Sequence, residues 1–350
     1  MGLKKYDKEA EQKELEVKEE ETQEEKNKFN EIVEANEKEA EELNAIPLDE
    51  KQKNIRVAVE NARKEYLSES KKQKRINTII SIAVIAVLVA CLAIMITLGK
   101  NNQVWSYVSI GLMVLALLAT FLTTKFIKKS LGEKAEKYIN FLFTQIDDYL
   151  YNNDKFSEQG FKPNAQMKDE LFTEARFYKN IKGTRSRNLI SVVYNDKALS
   201  IADLAGNVLV KNRLSPMFLG KYFDYENSYS PDDPNKRILM QIKGGELSRP
   251  VDDVDDLKLV EGNDTYVIYT NDDNYKKVLT SKVISDICRL KVDKTLIDVI
   301  VSIRPGKTNI GIDYVDDFMN IPVESEFDFN KIKRSEQDLN KVLKIFEDLN

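Results

Sequence analysis

The segments SIAVIAVLVACLAIMITL (residues 81–98) and VWSYVSIGLMVLALLATFL (residues 104–122) decide the architecture of this chain. Neither contains a charged residue, and Lys100 is the only charge between them. With its apolar flanks, each stretch exceeds the roughly 20 residues with which a helix crosses about 30 Å of hydrocarbon. The pattern predicts two transmembrane helices at about 76–99 and 104–124. A pair of buried core helices is the alternative, although such helices are seldom this long without a charge.

Basic residues flank both predicted spans. Four precede the first span and three follow the second, whereas the connecting GKNNQ loop carries a single lysine. Because basic residues near span ends stay on the cytoplasmic side, the pattern predicts a cell-membrane protein with both termini in the cytoplasm and membrane lipids around its spans. The flanking residues are Lys71, Lys72, Lys74, Arg75, Lys125, Lys128 and Lys129.

Ionisable side chains inside a membrane mark ion and proton pathways. Neither predicted span contains one. A pump or channel built from one copy of the chain is therefore disfavoured, while an oligomeric pore stays open as an alternative.

The composition excludes several classes of site. The 350 residues include 53 Lys and Arg, 58 Asp and Glu, and no histidine. Without histidine there is no Ser-His-Asp or Cys-His nucleophile pair, no His-ligated metal and no imidazole switch. Cys91 and Cys288 are too few for an all-cysteine zinc or iron–sulfur site. We expect no catalytic residue, cofactor or metal ligand of these kinds, and no nucleic-acid partner.

Residues 1–70 form an acidic arm ahead of the first span. Residues 1–50 hold 8 basic and 18 acidic side chains, a net charge of −10, which leaves +5 for the remainder of the chain. Such composition favours a solvated helix or disorder. An apolar stripe predicts two helices that meet at Pro47, as an antiparallel pair or a dimeric coiled coil. A solvated spacer is favoured for this arm over a partner-binding arm. The stripe comprises Phe29, Val33, Ala40, Leu43, Ile55, Val59, Ala62 and Tyr66.

Residues 130–350 are predicted to form a cytoplasmic α+β domain, in which helices flank an antiparallel sheet of about seven or more strands. Such a sheet has no switch point for a nucleotide of the kind found in parallel sheets. Helices are expected over 130–151, 165–178, 271–291 and 331–349. Strands are expected over 188–194, 197–204, 207–212, 217–226, 236–242, 257–262 and 265–270, followed by a hairpin over 296–305 and 308–315.

One stretch of this domain is similar to a known family. The segment LVEGNDTYVIYTNDDNYKKVLTSKVISDICRL (residues 259–290) resembles the signature region of a bacterial membrane-protein family, domain of unknown function 3137. The resemblance covers about residues 138–350 and implies a membrane-associated bacterial protein with two spans before its soluble part. It implies no established reaction. The matching positions are Glu261, Tyr266, Val267, Tyr269, Asp272, Leu279 and Thr280.

Four sequence features are candidate sites. RPGKT (residues 304–308) lacks the first glycine of a phosphate-binding loop and favours a hairpin turn. PVDDVDD (residues 250–256) lacks the EF-hand spacing and favours an acidic surface loop. Cys288 falls on an apolar helical face and favours core packing. The fourth feature is a basic patch that could meet an anion, a lipid headgroup, an acidic partner or the acidic arm, formed by Lys179, Lys182, Arg185 and Arg187.

These features together predict a non-enzymatic interaction or scaffold module that two spans hold at the membrane. Its expected partners are other proteins or further copies of the same chain. The alternative is an enzyme, or a regulatory module that senses lipid or nucleotide, at the inner face of the membrane.

Overall fold

The computed structural model describes residues 45–98, 103–243, 248–290, 296–314 and 323–349, with five separate residues between 31 and 42. The apolar positions expected at Phe29, Val33, Ala40 and Leu43 lie outside the described residues. The chain divides into a helical unit, Lys53–Gln145 with Pro322–Phe327, and a sheet unit that contains the rest. Each unit is described by itself below.

Two long helices, α1 (Glu50–Thr97) and α2 (Gln103–Tyr151), supply the helical unit. They run antiparallel. The rings of Tyr66 and Tyr138 stack with 6.3 Å between centroids, and Gln73 Nε2 donates to Ser130 Oγ at 3.1 Å. Val59, on the predicted apolar stripe of α1, is buried. The segment after Pro47 therefore forms a helix with an apolar face, as predicted.

The first turn of α1 is fixed by a reciprocal cap. Asp49 Oδ1 accepts from the Gln52 amide at 2.6 Å, and Gln52 Oε1 accepts from the Asp49 amide at 3.2 Å. Such a capping box satisfies two backbone donors that have no partner within the helix. Residues 47–49 are not helical, so the break expected at Pro47 is present.

Both predicted spans lie inside longer helices. No helix end occurs near residue 76, 124 or 130, and the predicted stalk over 130–151 continues the second span without interruption. α1 and α2 are each long and apolar enough to cross a membrane, and almost none of the side chains in their apolar windows is buried.

The sheet unit is built on one nine-stranded antiparallel sheet of order β1-β2-β3-β4-β9-β8-β5-β7-β6. Its fold class is α+β, as predicted, with two more strands than the minimum expected. The strands are β1 Ser157–Lys162, β2 Ile181–Tyr194, β3 Lys197–Val210, β4 Arg213–Glu226, β5 Ile238–Lys243, β6 Lys258–Gly262, β7 Tyr266–Thr270, β8 Leu296–Arg304 and β9 Lys307–Tyr314.

Two-residue turns join the long strands. Asn195 and Asp196 connect β2 to β3 with φ of 51° and 59°, and Lys211 and Asn212 connect β3 to β4 with φ of 48° and 62°. Positive φ at both central residues matches the right-handed twist of the flanking strands. Gly306, with φ of 75°, turns β8 into β9, which confirms the hairpin expected at RPGKT.

The strand boundaries differ from prediction in three places. The expected strands 197–204 and 207–212 are a single strand, β3, because Gly206 stays paired with β2 and β4 instead of forming a turn. A Cβ on Gly206 would lie 2.5 Å from the Phe172 ring, so this glycine makes room for an aromatic side chain. β2 begins seven residues earlier than expected, at Ile181, and β1 was not predicted because SEQGFK shows no apolar alternation.

Helices pack on one face of the sheet. They are α4 Tyr275–Val278, α5 Ser281–Cys288, α6 Asn330–Asp348 and the carboxyl end of α2. The ring of Phe346 stacks on Tyr225 with 4.3 Å between centroids. The inward positions predicted for the last helix are all buried, namely Leu339, Val342, Leu343 and Phe346.

The opposite face carries the short helix α3 (Asp169–Glu174) and its flanking loops. The predicted helix over 165–178 is only six residues long, because Arg176 adopts φ of 55° and ends it. The helix expected over 271–291 is divided between α4 and α5. Thr280 is responsible, since its extended backbone interrupts the helix and its Oγ1 accepts from the Val283 amide at 3.3 Å.

We expect Gly220→Ala to destabilise the sheet unit severely. A Cβ on Gly220 would lie 1.8 Å from the carbonyl oxygen of Ile312 on the neighbouring strand. Such overpacking should lower the free energy of unfolding by about 3 kcal/mol or more, measured by urea unfolding followed by near-UV circular dichroism. Gly183→Ala is the matched control, because its Cβ would meet nothing within 4 Å. Equal stability of the two variants would contradict the β4–β9 pairing.

Candidate functional site

The most unusual chemistry in the sheet unit is a pair of carboxylates inside the sheet. Asp298 of β8 and Asp313 of β9 are direct partners across the two strands, so their side chains lie on the same face. Lys243 of β5 is the partner of Asp298 on its other side. Both aspartates have 0% exposure. The antiparallel register set at the Gly306 turn thus gathers three ionisable residues into one row.

The loop that carries Ser248 and Arg249, together with the Leu219 amide of β4, supplies hydrogen bonds to the two aspartates. Asp298 accepts from Ser248 Oγ at 2.6 Å and from the Arg249 amide at 2.8 Å. Asp313 Oδ1 accepts from the Leu219 amide at 2.8 Å, while its other oxygen lies 4.0 Å from Arg249 Nη1. The loop is also bound to β5, because the amide of Val251 donates to Gln241 Oε1 at 3.0 Å.

Burial shapes the electrostatics of this row. It raises the pKa of Asp313 to about 7, although the Leu219 amide and Arg249 favour the ionised form. The Tyr178 hydroxyl has no hydrogen-bond partner among the described residues, and burial raises the pKa of that phenol. Since neither carboxyl is exposed to solvent, the contacts of the row serve to fix the loop on the sheet.

The acidic loop PVDDVDD is bound by basic side chains. Arg176 donates to Asp253 at 2.8 Å and to Asp256 at 2.9 Å. The nearly buried Arg237 donates to Asp256 Oδ1 at 2.8 Å and to the Asp253 carbonyl at 2.6 Å. Hydrogen bonds from the two arginines outweigh burial and hold the pKa of Asp256 below its usual value. This acidic surface loop is therefore held in place by its ion pairs with the two arginines.

A second set of buried polar groups lies on the helical face. Asp147 of α2 accepts from Asn188 Nδ2 at 3.3 Å, and its other oxygen has no hydrogen-bond partner among the described residues. Asp203 of β3 is nearly fully buried, 3.8 Å from Lys221 Nζ. Burial raises the pKa of Asp147 to about 7, and a weaker opposing effect comes from Lys221.

The structure divides the predicted basic patch. Lys179 makes an ion pair with Asp255 at 2.6 Å, and Arg187 is the direct cross-strand partner of Asp203. Lys182 and Arg185 are exposed in the first half of β2. The four residues therefore do not form a single surface, and two of them lie against acidic residues of the same chain.

The phosphate-loop alternative for RPGKT is disfavoured by its surroundings. Lys307 Nζ lies 2.6 Å from Asp224 Oδ1, and Asn309 Nδ2 donates to the other Asp224 oxygen at 2.8 Å. Thr308 is fully buried in β9. Cys288 is buried in α5, as the apolar pattern predicted. Among the described residues, no group of three or more Cys, Asp and Glu is arranged to hold a metal ion.

Sequence reasoning missed the buried carboxylates and one exposed surface. Asp298 and Asp313 lie in runs that predict strands, but only the strand register shows that they face each other. The exposed surface is the β3–β4 turn, where Leu209, Val210 and Leu214 are solvent-accessible. Its only sequence signal is the apolar run VLV beside Lys211, which also fits a buried strand.

The comparisons with known proteins identify no relative. No family model, no curated protein and no solved structure matches the chain. The resemblance to domain of unknown function 3137 therefore stays a prediction.

The buried Asp147 predicts an unusual dependence of stability on pH. Its pKa of about 7 in the folded chain exceeds the ordinary value of 3.8. The folded state therefore binds more protons than the unfolded state between these values, so the free energy of unfolding should fall as pH rises through this range. Asp147→Asn should reduce that slope, leaving the part that comes from Asp313, and stabilise the sheet unit at pH 7.5 by on the order of 3 kcal/mol.

Urea unfolding of the purified chain at pH 5 and pH 7.5 measures this effect. Asp148→Asn is the matched control, because it makes the same substitution at the neighbouring carboxyl, which is exposed. The raised pKa of Asp147 would be contradicted if Asp147→Asn kept the wild-type dependence of unfolding free energy on pH, or were less stable than the wild type at pH 7.5.

Proposed function

We propose that this chain is a membrane-anchored interaction module, in which two helical spans hold the sheet unit at the cytoplasmic face of a cell membrane. The exposed apolar surface of α1 and α2 carries the proposal. Between Ile76 and Phe126, 22 large apolar side chains are exposed. At about 1.5–3 kcal/mol per fully buried side chain, their partial exposure to water would cost on the order of 20 kcal/mol. This exceeds the typical net stability of a domain, about 5–15 kcal/mol.

The distribution of these side chains supports a lipid environment over a soluble bundle. At about 100° per residue, the exposed apolar positions of α1 from Ile76 to Ile96 cover roughly 220° of the helix circumference. A helix that packs on a soluble core needs an apolar stripe little wider than about 100°. The buried Cys91 lies within the remaining sector. The uncharged part of α1 from Ile76 to Thr97 is about 33 Å long, which matches a hydrocarbon core.

The basic flanks support the orientation. All seven predicted flanking residues are exposed, and they lie outside the apolar windows at the ends remote from the 99–102 connection. We infer that this connection is outside the cell and that the sheet unit is cytoplasmic.

A role in binding fits the sheet unit better than catalysis. Its buried carboxylates bind loops and strands, as described above, and they are closed to solvent. β6 ends the sheet, and among the described residues no strand pairs with its outer edge. Leu259 and Val260 on that strand are exposed. An open edge with apolar side chains is suited to adding a strand from another protein or from a second copy of the chain.

The orientation predicts a clear pattern of cysteine labelling. In a background with Cys91→Ala and Cys288→Ala, Asn102→Cys should react with a membrane-impermeant maleimide in intact bacterial cells. Asn195→Cys, in the β2–β3 turn, should react only after the membrane is permeabilised. The reverse pattern would contradict the orientation, and extraction of the chain by alkaline carbonate would contradict the anchor.

The open edge predicts position-specific crosslinking. A photo-crosslinkable residue at Leu259 should yield a discrete product with one partner or with a second copy of the chain, identified by mass spectrometry from intact membranes. The same residue at the exposed Lys331 of α6 is the control. Identical products from both positions would contradict a binding role for β6.

A further inference from the structure

The turn between β3 and β4 extends beyond the rest of the sheet. Pairing of β3 with β2 ends at Val208, and pairing of β4 with β9 ends at Gly220. Residues 209–214 therefore have no neighbouring strand among the described residues except each other. We refer to residues 209–214 as the β3–β4 tip.

The β3–β4 tip exposes aliphatic side chains where a turn is usually polar. Leu209 is 53% exposed, Val210 50% and Leu214 64%. Leu209 and Leu214 are cross-strand partners, so they form one apolar pair beside the turn. The turn itself does not require apolar flanks, because its geometry depends on positive φ at its two central residues.

Two basic residues lie in this apolar tip and two more lie on the neighbouring strand. Lys211 lies in the turn and Arg213 follows it, while Lys182 and Arg185 are exposed on the adjacent end of β2. No ion pair involves any of the four among the described residues. Neither 205–217 nor 179–187 contains an acidic residue. The tip itself thus combines a small aliphatic surface with the positive charges of Lys211 and Arg213. The β2 flank also has an acidic neighbour, because Thr184 donates to Asp169.

We propose that the β3–β4 tip binds the surface of an anionic phospholipid bilayer. Leu209, Val210 and Leu214 would enter the boundary between headgroups and acyl chains, and Lys211 and Arg213 would lie against lipid phosphates. Apolar insertion combined with basic contacts is the usual basis of interfacial membrane binding. The inference deepens the proposed function, since the anchor would supply the bilayer that the tip contacts.

Two observations favour lipid over a protein partner. The apolar surface consists of three side chains on a projecting turn, which is too small for a stable protein interface but sufficient for insertion between headgroups. Residues 205–217 contain Lys211 and Arg213 and no acidic side chain, which complements an anionic surface. By contrast, the turn at the other end of β3 contains Asn195 and Asp196 and exposes no large aliphatic side chain.

Depth-dependent fluorescence quenching of the full chain tests the proposal. The chain, with Cys91→Ala and Cys288→Ala, would be placed in nanodiscs containing about one third phosphatidylglycerol and a lipid with a nitroxide near the headgroup. The probe NBD would be attached through Asn212→Cys in the tip or through Asn195→Cys in the opposite turn. These two asparagines are matched, because both occupy turns with positive φ. Leu117→Cys in α2 reports insertion of the predicted span, measured in matched nanodiscs whose lipid carries the nitroxide on its acyl chain.

We expect quenching at position 212 to be at least threefold stronger than at 195. Lys211→Glu with Arg213→Glu, or phosphatidylcholine alone, should lower the value at 212 to that at 195. Quenching at 117 without quenching at 212 would overturn the inference and leave the anchor intact. No quenching at 117 would overturn the proposed function together with this inference.

Two further outcomes would also overturn the inference. The first is quenching at 212 that persists after the charge reversal, because it would remove the role of the anionic surface. The second is a crosslink from position 212 to a second copy or another protein in place of quenching, because it would assign the tip to a protein interface.

Discussion

Two carboxylates without access to water determine how one face of this sheet is covered. Asp298 and Asp313 lie opposite each other at 0% exposure. An unpaired buried charge is strongly unfavourable, so the chain must bring donors to these groups or keep them protonated. The donors come from Ser248, Arg249 and the Leu219 amide. The loop that carries Ser248 and Arg249 continues into the aspartates bound by Arg176 and Arg237.

Other acidic residues of the chain suggest catalytic or metal-binding sites in the sequence, but in the structure they too are bound by groups of the chain itself. Asp224, Asp253 and Asp256 each bind a lysine or arginine. Their charges neutralise partners that the fold itself supplies. Exposed apolar side chains are concentrated instead on the two long helices, the β6 edge and the β3–β4 tip.

The class of fold was predictable from sequence because the strands alternate with clear turn residues. Strong periodicity made the last helix and the β8–β9 hairpin predictable almost to the residue. Boundaries were wrong where a tertiary contact outweighed local preference. Gly206 suggested a turn but lies under Phe172, and Thr280 caps a new helix inside an apparently continuous one.

The candidate site was less predictable for a different reason. Asp298 and Asp313 are 15 residues apart in sequence, and their pairing depends on strand register, which periodicity does not specify. The basic patch had the opposite difficulty. Its four residues are close in sequence, yet strand alternation and the loop before β2 direct Lys179 and Arg187 toward different acidic partners.

The order of the strands also affects how the chain folds while it is being synthesised. β4 is complete at Glu226, but its neighbour β9 begins at Lys307, about 80 residues later. At a synthesis rate of about 5–20 residues per second, the ribosome needs roughly 4–16 s to deliver that neighbour. During this interval the backbone edge of β4 from Gly220 to Glu226 has no partner strand. The nascent domain therefore passes through a period in which another chain, or a chaperone, can occupy the place of β9.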